Sequence, residues 1–339
     1  MTIHVGHKTE YFLSSHSGRG TKTYLKDALR FVKKQIILQG GTEQIRSGII
    51  RNVGIELMAR GYDVEIAHGI LNPDNLEGII IPQLDLALIS TEDSWEIRLD
   101  QKIFDLNEYR DMEKFRIYKS KIFDIFEQIN MNIELLQEEL YELRLVFAKD
   151  CSRGSVLEER QVLYITEKLL ETLFSLDEGK MNHRFGQILT GRGIVNFLPK
   201  LLENCPTKYY VNDVQYLNAG RMLNLVAREA VLKGLVVDVY HNFLDPELVE
   251  LIIIREMNLA IGIKPFTKGF KRLITYEGNR NYSNQEHYME KLDFTNACKW
   301  LEEIEILYDQ CFSYYNEFLN FEEIFALEKQ ILAEIILNT

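Results

Sequence analysis

Apolar positions along the chain follow two alternating rhythms. Short runs such as "KQIILQ" from Lys34 and "YDVEIAH" from Tyr62 are rich in aliphatic residues and bounded by glycine or polar clusters, which predicts strands. Between them, Ile45 to Arg60 repeats its apolar residues at three- and four-residue steps and meets Gly61, which predicts a helix and its end. "LDLALIS" from Leu84 predicts a third strand. The same order returns later as "KYYVND" from Lys208, a helix over Asn218 to Lys233 closed by Gly234, "LVVDVYH" from Leu235 and "MNLAIGI" from Met257. Strands alternating with helices at this spacing predict an α/β fold with parallel sheets covered on both faces.

The recurrence is a duplication. Sliding the sequence along itself by 173 residues sets "FLSSHSGRGTKTYL" from Phe12 on "FGQILTGRGIVNFL" from Phe185. The same register, with no gap, sets "ELMARGYDVEIAHGILNPDNLEGIII" from Glu56 on "EAVLKGLVVDVYHNFLDPELVELIII" from Glu229. Identities include Gly18/Gly191, Arg19/Arg192, Gly20/Gly193, Gly61/Gly234, His68/His241, Pro73/Pro246 and the Ile79–Ile81 triplet on Ile252–Ile254. Two domains are expected, residues 1–178 and 179–339, with "DEGKMNH" from Asp177 marking the boundary.

Between the copies the rhythm becomes one long helix. Ile122, Phe126, Ile129, Ile133, Leu136, Leu140, Leu143 and Phe147 advance by alternating steps of four and three, a seam with coiled-coil spacing. Such a seam either packs within the chain, here against a helix over Val156 to Leu176 and the first sheet, or recruits another protein or a second copy through helical surfaces. The stretch from Thr295 onward supplies matching helices after the second copy.

Composition narrows the classes. A net charge of −12 with 46% hydrophobic residues describes a folded globular chain and argues against nucleic acid as a partner, since that needs a concentrated basic face. No run approaches the ~18 apolar residues of a membrane helix, so no membrane insertion is expected. Cys151, Cys205, Cys298 and Cys311 stand far apart without metal-ligand spacing, and "MTIHVGHKTEYF" lacks a secretory apolar core; a cytoplasmic protein is expected.

Candidate chemistry begins at "ILQGGTEQIRSG" from Ile37, where a strand meets a helix through paired glycines. The phosphate-binding template G-x-x-x-x-G-K-[ST], laid on Gly40, puts Ile45 at the second glycine, Arg46 at the lysine and Ser47 at the hydroxyl residue. Gly40, Gly41, Arg46 and Ser47 are therefore the candidate nucleotide- or anion-binding set. Missing glycines put side chains where backbone should curl around phosphate, and Arg46 keeps a charge without the compact ammonium. Glu43 or Gln44 is expected to fold inward and satisfy the N–H groups after Gly41.

These residues carry a resemblance. The order F-x(5)-G-x-G, strand, G-G-x-x-x-x-x-S, helix, R-G-Y-D-V-E-x-x-H and N-P-D-N-L-E-G-I-I-I-P resembles an uncharacterised bacterial family of tandem P-loop ATPase- or nucleotide-kinase-like proteins, over most of the chain. The resemblance implies two tandem P-loop NTPase-like domains, a first loop of the form G-G-P-G-T-G-K-S-T and a metal-side aspartate after the third strand. Here that loop is degenerate, Ala219 stands at the lysine position of the second copy, and Ser90 and Ile263 stand where the aspartate belongs. Glu92 and Asp93 are the acids that a two-residue shift would bring to the metal side. His68 and His241, kept in both copies, read as caps of the sheet edge rather than catalytic groups. The resulting expectation is a pseudo-ATPase that binds or regulates and needs no cofactor. A divergent NTPase or nucleotide kinase using ATP and Mg²⁺ at the first loop is the alternative.

Overall fold

The structure is a computed structural model that describes residues 5–91, 101–151, 178–211, 216–272 and 288–337. Its first half runs β1 (Lys8–Phe12), β2 (Ser14–Ser17), β3 (Gly20–Thr23), α1 (Leu25–Leu29), β4 (Lys34–Gln39), α2 (Glu43–Ala59), β5 (Val64–His68), β6 (Leu76–Ile81), β7 (Leu86–Ser90) and β8 (Gln101–Asp105), followed by the long α3 (Met112–Cys151). The second half repeats it as β9 (Lys180–Arg184), β10 (Gln187–Thr190), β11 (Gly193–Asn196), α4 (Leu198–Leu201), β12 (Thr207–Tyr210), α5 (Tyr216–Leu232), β13 (Val236–His241), β14 (Val249–Ile254), β15 (Leu259–Gly262) and β16 (Lys271–Arg272), then α6 (Thr295–Tyr315) and α7 (Phe321–Leu337).

Each half builds one mixed sheet, in the order β1-β5-β6-β7-β4-β8 and its counterpart β9-β13-β14-β15-β12-β16. Details repeat at the 173-residue offset. A bulge interrupts the pairing at Ala67/His68 and again at Tyr240/His241, and Asp85 and Asn258 both take left-handed backbone, with φ of 50° and 45°. The expectation of wholly parallel sheets is corrected, because β6 and β14 run antiparallel to both neighbours. The reason is chain length: a parallel crossover needs about a dozen residues, and the links over 69–75 and 82–85 are too short for one.

The helices cover the sheets for reasons visible in sequence. Ile45, Ile49, Ile50, Val53 and Leu57 bury one face of α2, and Gly61, at φ 92°, ends it. Along α3, whose N-terminus is capped by the Asp111 carboxylate accepting the N–H groups of Glu113 and Lys114, the seam residues Ile122, Ile129, Leu136, Leu140, Leu143 and Phe147 are buried. They pack against α6, with Phe126 edge-on to Tyr308 at 6.3 Å; the helix expected over 156–176 lies outside the described residues. The seam is thus filled from the C-terminal end of the chain. After α6 the chain returns to the first half, where Asn52 of α2 donates to Glu328 of α7 at 2.9 Å.

The halves meet about an internal two-fold. Phe12 and Phe185, equivalent positions, exchange both backbone hydrogen bonds at 2.9 and 2.8 Å. The F-x(5)-G-x-G motif follows from this junction. Gly20 and Gly193, at φ 95° and 101°, turn the two hairpins, while a Cβ at Gly18 or Gly191 would lie 2.7 Å from the Leu140 carbonyl or 2.8 Å from the Glu302 nitrogen. Each hairpin then reaches across. Arg19 pairs with Asp245 and Glu247, and its equivalent Arg192 pairs with Asp74 and with Glu305. Tyr24 stacks on His183 and His241, and its equivalent Phe197 packs on His68.

A buried ionic network lies beside the axis. Arg184 donates to Glu65 at 2.6 Å, Arg255 spans Glu65 and Asp238 at 2.9 and 2.8 Å, Asn182 donates to Asp238, and the Tyr11 hydroxyl donates to Glu65 at 3.2 Å. Glu65 and Asp238 are repeat equivalents, so duplication brings two acids together, and the second half alone supplies the two guanidinium groups that neutralise them. Burial pushes the Asp238 carboxyl up, but Arg184 and Arg255 outweigh it and hold its pKa at about 2.

Candidate functional site

The glycine loop follows β4. Gly40 and Gly41 both take left-handed backbone, at φ 69° and 61°, and swing the chain into α2. A Cβ at Gly40 would fall 2.2 Å from Oδ1 of Asp105 and 2.4 Å from Nδ2 of Asn107, so the loop is packed under the end of β8. The Gly41 N–H donates to Asn107 Oδ1 at 3.3 Å. The acceptor of the Gly41 N–H is thus neither Glu43 nor Gln44. Gln44 turns away to Asp309 of α6 at 3.1 Å, and Glu43 extends toward Gly69, where an added Cβ would stand 2.4 Å from its Oε1. Asn107 fills the role because Asp105, accepting its backbone N–H at 2.9 Å, fixes the turn that aims it.

Arg46 is buried, with Nη1 donating to the Gly40 carbonyl at 2.7 Å and Nε to Ser90 Oγ at 2.7 Å. It ties the end of β4 to the end of β7. Ser47 Oγ accepts the Leu76 N–H at 2.8 Å and so joins α2 to the start of β6. In the second half Ala219 and Gly220 take these places. There a Cβ on Gly220 would meet Leu248 Cδ1 at 2.5 Å and the Val249 carbonyl at 2.9 Å, so α5 sits directly on β14, the equivalent of the strand that Ser47 reaches by a hydrogen bond. Ser90 is present at the strand end in the first half and Ile263 in the second; Glu92 and Asp93 lie outside the described residues.

The structure brings Arg46 and Ser90 to the wall of a cleft of about 350 Å³ over the carboxyl ends of the first sheet, together with Ser14, Thr23, Glu43 and Glu77. Clefts at this end of α/β sheets are the usual place for a ligand. Glu77 was not singled out by sequence, being one acid in an apolar run. Ser14 donates to its Oε1 at 2.7 Å, its Oε2 is buried with no hydrogen-bond partner among the described residues, and burial, reinforced by Glu43, pushes its pKa up to about 7. The carboxyl therefore exchanges its proton near neutrality.

A second cleft, of about 640 Å³, occupies the same position in the second half. Half of its lining consists of repeat equivalents with new chemistry: Ser14, Thr21, Thr23, Ile70 and Thr91 become Gln187, Ile194, Asn196, Phe243 and Lys264. Glu250, the equivalent of Glu77, lies 1% exposed beneath it, with one oxygen accepting from Gln187 at 3.0 Å and the other from Asn242 at 3.1 Å. Burial pushes it, too, up to about 7, against the pull of Lys264.

The paired histidines hold the loops beside these clefts. Nδ1 of His68 lies 2.6 Å from the Pro73 carbonyl and Nδ1 of His241 lies 2.7 Å from the Pro246 carbonyl, and since a carbonyl only accepts, both rings donate from Nδ1. Burial lowers both pKa values, His241 to about 3, so both stay neutral. His241 Nε2 then accepts from His183 at 2.8 Å. Both rings latch the turn between the fifth and sixth strands of their half.

Sequence reading also missed Glu65, Asp238, Arg184 and Arg255. A usable signal existed: an acid sits in the middle of "VEIAH" and at the same repeat position of "VDVYH", where an apolar residue would be the default in a buried strand. Comparison with family models, curated proteins and solved structures finds no match for this chain.

Proposed function

We propose that the chain is a catalytically degenerate P-loop NTPase-like protein, a pseudo-ATPase that acts as a binding or regulatory scaffold. One observation carries this reading: Arg46, at the lysine position of the loop, spends its guanidinium on the Gly40 carbonyl and Ser90 Oγ, groups of the loop and of the metal-side strand end. A working loop aims its cation and its N–H groups at phosphate oxygens and leaves the strand-end acid to a metal. Here the Gly41 N–H goes to Asn107 and the Ser47 hydroxyl to Leu76. A nucleotide would have to break contacts that hold β4, β6, β7 and β8 together. The scaffold then serves through its surfaces and clefts, with another protein or a second copy as the partner class its helices suit.

Calorimetric titration of the full chain with ATP and Mg²⁺ tests the reading. No saturable binding is expected, and no ATP or GTP turnover above background. Micromolar binding lost in Arg46→Ala, or turnover lost in Ser47→Ala while that variant still melts cooperatively, would overturn it.

A further inference from the structure

The second cleft has a composition that the first does not. Phe243, Phe266, Met289, Leu292 and Phe294 line it beside the polar Gln187, Asn196 and Lys264, around a space of about 640 Å³, ample for a small ligand. At its rim stands Lys264, two residues after the end of β15, whose Nζ lies 5.4 Å from the centroid of the Phe266 ring. Among the described residues Lys264 makes no salt bridge. In the first half the equivalent of Lys264 is Thr91 and that of Phe243 is Ile70, so duplication kept the cleft and moved its chemistry toward a cation above an aromatic wall. A lysine over an aromatic ring and outside ion-pair contact with any carboxylate among the described residues is disposed to take an anion, and the phenylalanines and Met289 beside it favour an apolar body.

We propose that this cleft is a binding site for an amphipathic organic anion, a medium-chain carboxylate, with its carboxylate on Lys264 and its chain along Phe243, Phe266, Met289 and Phe294. Glu250 makes the site responsive to pH. The groups facing it are Gln187 from β10, Asn242 from the turn after β13, and the Lys264 charge from the end of β15. Asn242 also contacts the sulfur of Met289 at 4.0 Å, so the carboxyl lies directly below the apolar wall. With Glu250 protonated the cleft carries the charge of Lys264 alone and attracts an anion; with Glu250 ionised the two charges cancel and the anion is held less firmly. The inference is independent of the glycine loop, which lies in the other half.

The probe is decanoate, ionised throughout the range used and kept below its micellar concentration, titrated calorimetrically into the full chain at pH 6 and pH 8. One molecule per chain is expected, bound several-fold more tightly at pH 6. Lys264→Met should weaken binding at least tenfold, Lys264→Arg should retain it, and Glu250→Gln should remove the difference between the two pH values. Each variant is first checked for an unchanged melting transition. If Lys264→Met folds and binds as the parent does, or if uptake fails to saturate at one molecule, the site assignment is wrong. An unchanged pH difference in Glu250→Gln would overturn the role of that carboxyl.

Discussion

The two halves share a backbone down to its irregularities and differ in almost every polar group near the clefts. Kept in both are the bulge before the histidine, the left-handed residues Asp85 and Asn258, the turn glycines, and the latch from imidazole to proline carbonyl. Changed are the pairs Arg46/Ala219, Ser47/Gly220, Ser90/Ile263 and Thr91/Lys264. Each kept feature is one that the chain path itself requires. Among the changed pairs, Arg46 joins the ends of β4 and β7 and Ser47 joins α2 to β6, and at Gly220 the Ser47 link is replaced by closer helix–strand packing. Backbone geometry has therefore been conserved through duplication while the cleft chemistry diverged.

The sharpest asymmetry is the buried network, in which each half gives one acid but only the second gives arginines. Arg184→Met should have the largest effect of any change considered, because it leaves Arg255 as the one guanidinium against the two buried acids Glu65 and Asp238. A loss of about 3–5 kcal/mol is expected from breaking a buried pair on one side, read from urea unfolding at pH 7. The pH dependence has a definite sign. Asp238 has a folded pKa of about 2, below its unfolded value of 3.8, so its contribution is complete above pH 4 and disappears as pH falls toward 2. Arg184→Met should flatten that acid limb. An unaltered limb would mean that Arg184 does not hold the Asp238 pKa down and that Arg255 alone does.

Glu77 and Glu250 offer the opposite sign in both halves. Each folded-state pKa is raised to about 7 from an ordinary 4.5, so stability falls as pH rises between those values and stays low above 7. Glu250→Gln should gain about 2 kcal/mol over the parent at pH 8, less than the full linkage value because the structure relaxes around a buried charge, and almost nothing at pH 4.5. Glu77→Gln should move in the same direction. A destabilised Glu250→Gln at pH 8 would show that Gln187 and Asn242 hold the ionised form more strongly than burial penalises it.

How far the sequence reached is itself uneven between near and distant contacts. The repeat, both helices α2 and α5, the seam of α3 and the loop glycines are legible because each is written in a local period or a fixed offset. The strands β6 and β14 went unread, since "LEGIII" and "VELIII" each set one acid in an otherwise mostly apolar stretch, without the alternation that marks a strand facing solvent. Their direction is set by link length rather than composition. Asn107, which occupies the loop, comes from 66 residues beyond Gly41, and nothing around Gly41 announces it. The helix that fills the α3 seam lies at the far end of the chain, and no period in α3 names its partner.

The smallest expected effect separates the two hairpin arginines, which sequence makes identical. Arg192 is 61% exposed and its partner Asp74 is 79% exposed, whereas Arg19 reaches Asp245, which is 8% exposed and also bound by Arg144 at 3.1 Å. Exposed pairs recover little because two long side chains must be ordered in a high dielectric, so Arg192→Ala should leave stability nearly unchanged. Arg19→Ala should cost about 1 kcal/mol, since Asp245 keeps only one of its two cations in a low-dielectric setting. Salt distinguishes the two further. At 1 M the screening length falls to about 3 Å, which should erase the Arg192 contribution while leaving much of the Arg19 contribution in place. Paired melting curves at low and high salt read both numbers. Equal, salt-insensitive losses would mean that the two reciprocal contacts are energetically alike, and that the asymmetry between the halves ends at their clefts and buried charges.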